Sequence, residues 1–116
     1  MILDQGLERL SPEEFDALPF GSIQLDADFT VTKYNAKEQE IANRSATETV
    51  GKNFFREIAP CTNNAAFRGR LDALIANRKS TDRFDYEFQF PWGLRAVRIQ
   101  LWVPDSATRW IFVTPL

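Results

Sequence analysis

Histidine is absent from this chain of 116 residues, and cysteine and methionine each occur once, as Cys61 and Met1. Without histidine there is no Cys–His or Ser–His couple for nucleophilic catalysis and no imidazole to bind a metal. With one cysteine there is no intrachain disulfide, no CxxC redox pair and no multi-cysteine zinc site. No apolar run approaches the roughly 18 residues needed to cross a bilayer. The opening stretch MILDQGLERLSPEEFDAL is acidic where an export signal is basic and then apolar. Lysine and arginine total 14 against 16 aspartates and glutamates, which leaves no cationic excess to neutralise a phosphate backbone. GxGxxG and P-loop patterns are missing, as are internal repeats. Carboxylate-only catalysis stays open, although no spacing singles out a pair of acids. What remains is one cytoplasmic domain over residues 1–116, a size that a single hydrophobic core can hold. Neither nucleic acid nor membrane is expected as a partner, and no catalytic or metal-binding residue is expected.

What is present reads as alternating strands around a run of short helices. Ser11-Pro12-Glu13-Glu14 is a helix start, with serine as cap, proline in the first turn and acids at the positive end of the dipole. Ser22 to Asp26 alternates, Ala27-Asp28 turns the chain, and the β-branched run from Phe29 to Tyr34 comes back as the second arm of a hairpin. After Asn35, AKEQEIAN predicts a short helix, Val50-Gly51 breaks the pattern, and FFREIA adds a single turn before Pro60. Over residues 65–78, Phe67, Leu71, Leu74 and Ile75 share one face of a longer helix. Phe84, Tyr86, Phe88 and Phe90 then alternate with Arg83, Asp85, Glu87 and Gln89, and Pro91-Trp92-Gly93 makes a turn. Val97, Ile99, Leu101 and Val103 alternate again, and WIFV reads as a last, central strand. This order implies an α+β fold, a five-stranded antiparallel sheet with helices on one face.

The stretch GKNFFREIAPCTNN sets the lone cysteine between Pro60 and Thr62, at the end of an aromatic and aliphatic run. Together with FGSIQLD, KYNAKE, IANR, FDYEF and WIFV, it resembles the photoactive yellow proteins, PAS-fold blue-light sensors, from about Phe20 to Val113. The resemblance implies a PAS core over residues 20–116 and an N-terminal helical cap over residues 1–19. It implies 4-hydroxycinnamic acid (p-coumaric acid) carried as a thioester on Cys61, its phenolic oxygen hydrogen-bonded by Tyr34 and Glu38. Arg44 would close the pocket, and Ala42, Phe54, Phe55, Pro60, Thr62, Tyr86 and Phe88 would line it. The implied partner is an unidentified downstream signalling protein, and the chain is expected as a monomer or weak dimer.

The residues themselves bear on this reading. Tyr34 ends a strand and Glu38 falls in the first helical turn after it, so their side chains can converge on one point. Two readings of Glu38 compete. Asn35-x-x-Glu38 is a capping box, in which the glutamate reaches back to the cap's backbone N–H. In the photoreceptor reading Glu38 is a buried neutral acid. A phenol of pKa near 10 must be ionised at pH 7, at a cost of roughly 4 kcal/mol. Two short charge-assisted hydrogen bonds of roughly 1.5–3 kcal/mol each offset it. Glu38 donates one of them only if protonated, which requires burial in an apolar pocket. Trans–cis isomerisation in light then takes the Glu38 proton, strands a carboxylate inside the fold and loosens it, the N-terminal helix first.

The chain departs from the family at Ala42, where a threonine supports the tyrosine. It has no methionine in the turn between the third and fourth strands, where Trp92 or Leu94 stands instead, and its segment before Phe20 is short. Two other readings stay open: a PAS module that binds another ligand or a protein partner, and a small enzyme using Cys61 as nucleophile without a histidine to activate it.

Overall fold

The computed structural model of the chain describes residues 9–90 and 92–116, so residues 1–8 of the expected cap, and Pro91 of the expected turn, lie outside the described residues. Ser11 opens α1 (Pro12–Asp16) with a closed capping box: its hydroxyl accepts the Glu14 N–H, and Glu14 Oε1 accepts the Ser11 N–H at 3.0 Å. The hairpin follows as β1 (Gly21–Leu25) and β2 (Val31–Tyr34). Asp26 Oδ1 shapes its turn by accepting the N–H groups of Asp28 and Thr30 at 2.8 and 3.0 Å.

Short helices fill the next stretch. Asn35 caps α2 (Ala36–Ala42), which stops at Asn43 in the left-handed region, φ 54°. A four-residue helix, α3 (Ala46–Thr49), comes next. The expected single turn at FFREIA is a π-helical turn, Phe54–Ile58, closed by the Ala59 N–H donating to the Phe54 carbonyl at 2.7 Å. Glu57 Oε2 accepts the Asn53 N–H at 2.8 Å and Asn53 Oδ1 accepts the Arg56 N–H at 3.0 Å, so the wide turn is capped from both directions. The helix expected over 65–78 is shorter, α4 (Arg68–Ala76). Asn64 Oδ1 takes the Phe67 N–H at 3.0 Å and holds the preceding residues in a turn.

Strands β3 (Thr81–Phe90), β4 (Gly93–Trp102) and β5 (Arg109–Pro115) complete one antiparallel sheet in the order β2-β1-β5-β4-β3, with β5 at its centre as WIFV predicts. Period-two alternation sorts its two faces. Ile23, Leu25, Val97, Ile99, Leu101, Ile111 and Val113 point into the main core with Phe54, Phe55, Phe67 and Leu71 from the segment between β2 and β3. Trp102, Trp110 and Phe112 point the other way and are covered by Leu10, Phe15, Leu18 and Phe20. The helices are therefore not all on one face, because α1 and its flanks cap the opposite one. Among the described residues no helix is long and apolar enough to cross a membrane.

Candidate functional site

The short helices leave a cavity of about 490 Å³ against the β3 end of the sheet, within the roughly 300–1,000 Å³ range of ligand pockets. Glu38 enters it from the first turn of α2, Ala42 lies one turn on, and Tyr34 comes from the end of β2. Glu38 is 3 % exposed, and Tyr34 and Ala42 are each 4 % exposed. Cys61 faces the same space from a 3-10 turn, Pro60–Thr62.

The Asn35-x-x-Glu38 segment resolves into half of a capping box. Asn35 Oδ1 accepts the Glu38 N–H at 3.0 Å and also the Ser22 N–H at 2.9 Å. The Asn35 N–H goes instead to the Ser22 carbonyl at 3.1 Å, so the Glu38 carboxyl is not needed as a cap. It turns inward to the Tyr34 hydroxyl. Burial pushes its pKa up to about 8 against an ordinary 4.5, although the hydrogen bond with Tyr34 pulls the other way. Burial thus favours the neutral, protonated form of Glu38. Burial, reinforced by the nearby Glu38, drives the Tyr34 phenol above its ordinary 10, against a smaller downward pull from the Arg44 guanidinium. Glu38 Oε1 is buried without a hydrogen-bond partner among the described residues.

Cys61 is held by its backbone. Its carbonyl accepts the Tyr86 hydroxyl at 2.7 Å and the Asn64 side-chain amide at 2.8 Å, and that amide also donates to the Tyr86 oxygen at 2.8 Å. Proline ahead of it brings no N–H to satisfy and starts the tight turn. The thiol is half-buried and free.

Of the residues expected at the site, Tyr34, Glu38, Ala42, Arg44, Phe54, Pro60, Cys61 and Phe88 all line this cavity. Phe55, Thr62 and Tyr86 are not among its lining residues. Phe55 faces away, edge-on to Phe29 at 5.2 Å, because adjacent positions of the π-helical turn point in different directions. The Thr62 hydroxyl bonds back to the Ala59 carbonyl at 2.6 Å. Tyr86 acts one step removed, through the Cys61 carbonyl. Ile58, Ala59, Gln89 and Phe90 complete the lining and were not expected; Phe90 shares the face of Phe88 in the β3 alternation, a signal that could have found it.

A sheet in this strand order, with a chain of short helices enclosing a pocket over it, defines a PAS-type sensory domain, and the family model described as PAS fold matches residues 15–113. The chain is 37 % identical over 117 residues to a photoactive yellow protein of Halochromatium salexigens, covering 98 % of this chain and 92 % of that one. To the photoactive yellow protein of Cereibacter sphaeroides it is 38 % identical over 112 residues, covering 96 % and 90 %. The photoactive yellow protein domain of the sensor histidine kinase Ppr from Rhodospirillum centenum superposes with a TM-score of 0.88 at 36 % identity, covering 93 % of this chain and 96 % of that one. The chain belongs to the photoactive yellow protein family. It is a PAS photoreceptor, a sensory rather than a catalytic domain, and membership implies a bound chromophore. The residues fit one: the cavity is mostly apolar, and a buried acid whose neutral form is favoured and a free thiol both line it.

Proposed function

We propose that the chromophore is 4-hydroxycinnamic acid joined as a thioester to Cys61, and that Glu38 is the proton donor of a reversible blue-light photocycle. One observation carries the proposal: a free cysteine and a buried glutamate, whose burial favours the protonated form, line the same cavity. Such a group, when bound, supplies a blue-absorbing phenolate whose double bond isomerises from trans to cis in light. Cys61 Sγ anchors it, and the Tyr34 hydroxyl and the Glu38 carboxyl each offer a proton to its phenolic oxygen. Phe54, Phe88 and Phe90 keep water out, which strengthens both bonds. Arg44 lies at the same cavity with a positive charge.

Loss of the Glu38 proton in light would leave a buried carboxylate, which costs several kcal/mol, comparable with the stability of a domain of this size. The strain falls on α2, and α2 is tied to the cap. Asp16 Oδ1 accepts the Ala36 N–H at 2.9 Å, and the Asn35 amide donates to the carbonyls of Phe15 and Phe20 at 3.3 and 3.0 Å. Release of α1 would uncover Trp102, Trp110 and Phe112 to a downstream signalling protein in the cytoplasm. The domain would act as a monomer or weak dimer, with residues 1–19 as cap and 20–116 as the light-sensing core.

The test is reconstitution. Apoprotein incubated with activated p-coumarate should gain the mass of one chromophore and turn yellow, and Cys61→Ser should do neither. Glu38→Gln should shift the absorption band and remove a protonated-carboxyl band from the light-minus-dark infrared spectrum. A colourless wild-type product would refute the chromophore assignment and leave a PAS module for another ligand.

A further inference from the structure

A second cavity, of about 480 Å³, lies between the end of α4 and the β4–β5 loop and shares no lining residue with the first. Leu74, Ile75 and Val103 give it apolar walls, and Arg78, Lys79 and Arg109 give it positive charge. Arg109 is only 5 % exposed, and none of the described ion pairs supplies it with a carboxylate. Its Nη1 donates to the carbonyls of Asp105, Ser106 and Thr108 at 3.5, 3.1 and 3.4 Å. Its Nε is buried without a partner among the described residues. A guanidinium removed from water, set against backbone carbonyls and over the Phe29 ring at 5.9 Å but with no carboxylate among the described residues, favours an anion.

Among the described residues the surroundings do not supply that anion. The carbonyls of Ala73, Leu74 and Ile75 at the end of α4 already accept the N–H groups of Asn77, Lys79 and Arg78 at 2.9, 3.1 and 3.4 Å. Asp105, the acid on the lining, turns its Oδ1 to the Ala107 N–H at 2.8 Å. Arg78 stands at φ 55°, a left-handed position after a helix where glycine or asparagine is usual, so a cation lines the cavity where the backbone favours a small residue.

We infer that this cavity binds a small organic carboxylate, its head on Arg109 and its apolar body along Leu74, Ile75 and Val103. A guanidinium matches the planar two-oxygen head, and Arg78 and Lys79 add attraction over a longer range. The site is separate from the chromophore cavity and does not rest on the chromophore's identity.

Hexanoate is the probe, titrated into the full chain and followed at the Arg109 Nε–H resonance and by calorimetry. Acetate tests the head alone, hexanol the body alone, and inorganic phosphate a different anion. Hexanoate should saturate one site and shift the Arg109 resonance, with acetate and hexanol at least roughly tenfold weaker. Arg109→Gln should abolish binding. Because that variant can lose its fold, Ser106→Glu is the second arm: position 106 is exposed and lines the cavity, and a carboxylate there should occupy Arg109 and exclude hexanoate. The inference is overturned if hexanoate fails to saturate, binds Ser106→Glu as well as wild type, shifts the residues around Glu38 instead, or is outbound by phosphate.

Discussion

A Cβ at position 21 would overlap Oε1 of Glu38 and stand 3.2 Å from its Cδ and 3.3 Å from its Cβ, so Gly21 of β1 is the surface against which the buried acid lies. Gly21 pairs with Val113 in regular sheet and is not among the glycines of positive φ, so its role is space rather than torsion. Gly21→Ala must turn the carboxyl aside in a packed site. We expect a loss of about 1–3 kcal/mol in urea denaturation. The double variant Gly21→Ala/Glu38→Ala removes the overlap with the carboxyl and keeps only the 3.3 Å contact with the Cβ of residue 38, so it should lose less than the two single losses added. Strict additivity would show that the two residues do not meet.

Glu38 also sets a pH dependence whose sign is fixed. With its pKa at about 8 in the fold and an ordinary 4.5 in the unfolded chain, the native state binds the extra proton between those values. The contribution is therefore fully present below about pH 4.5, falls by up to about 1.4 kcal/mol per pH unit as the pH rises towards 8, and is flat above. Glu14 and Asp85, whose pKa values lie below the ordinary carboxylate range, act in the opposite sense and only in acid. Urea denaturation of the apoprotein between pH 5 and 9 should show Glu38→Gln gaining on wild type as pH rises. Parallel curves would return the carboxyl to ordinary behaviour.

The Tyr86 hydroxyl and the Asn64 amide both close on the Cys61 carbonyl and on each other. Tyr86→Phe removes two of the three bonds and leaves the Asn64 amide on the Cys61 carbonyl, while the ring stays packed edge-on to Phe67 at 5.2 Å. We expect a loss of about 1–1.5 kcal/mol and faster amide exchange over residues 61–64. Asn64→Ala should cost a similar amount, and the double variant less than their sum, because the three groups form one network. An unchanged exchange rate in Tyr86→Phe would mean that the proline turn alone holds the cysteine.

How much of this was legible depended on whether a position's partner is local. Aromatics at every second residue from Phe84 to Phe90 announce β3, since only one face of that strand is buried. The Ser11 cap was equally readable, because its bonds span three residues. Residues 65–78 have the period of a helix, but the Asn64 side chain captures the first turn and trims it. The choice between the two roles of Glu38 was not local, because it turns on the Ser22 carbonyl reached through the β1–β2 fold-back. Phe54 and Phe55 are adjacent and similar, and only the π-helical turn decides that Phe54 faces the cavity and Phe55 faces Phe29. Neither the space at Gly21 nor the cavity at Arg109 has a sequence period to betray it.

Trp92 occupies the turn where the family's methionine was missed, and the structure gives it a contact of its own. Its indole stacks on Phe90 with centroids 4.9 Å apart, Phe90 stacks on Phe88 at 5.3 Å, and its Nε1–H donates to the Ala42 carbonyl at 3.4 Å. Phe88, Phe90 and Ala42 line the first cavity, so Trp92 bridges two of its walls from a position that is 48 % exposed. A bond of that length near solvent is weak, so the stack should carry the effect. Trp92→Phe keeps a ring and drops the donor; Trp92→Ala drops both. We expect a change within about 0.5 kcal/mol for the first and a loss of about 1–1.5 kcal/mol for the second. Absorption of the reconstituted protein should broaden in Trp92→Ala alone, as water reaches the cavity edge. Equal losses in the two variants would assign the bridge to the N–H instead, and make the Ala42 carbonyl the point through which the turn senses α2.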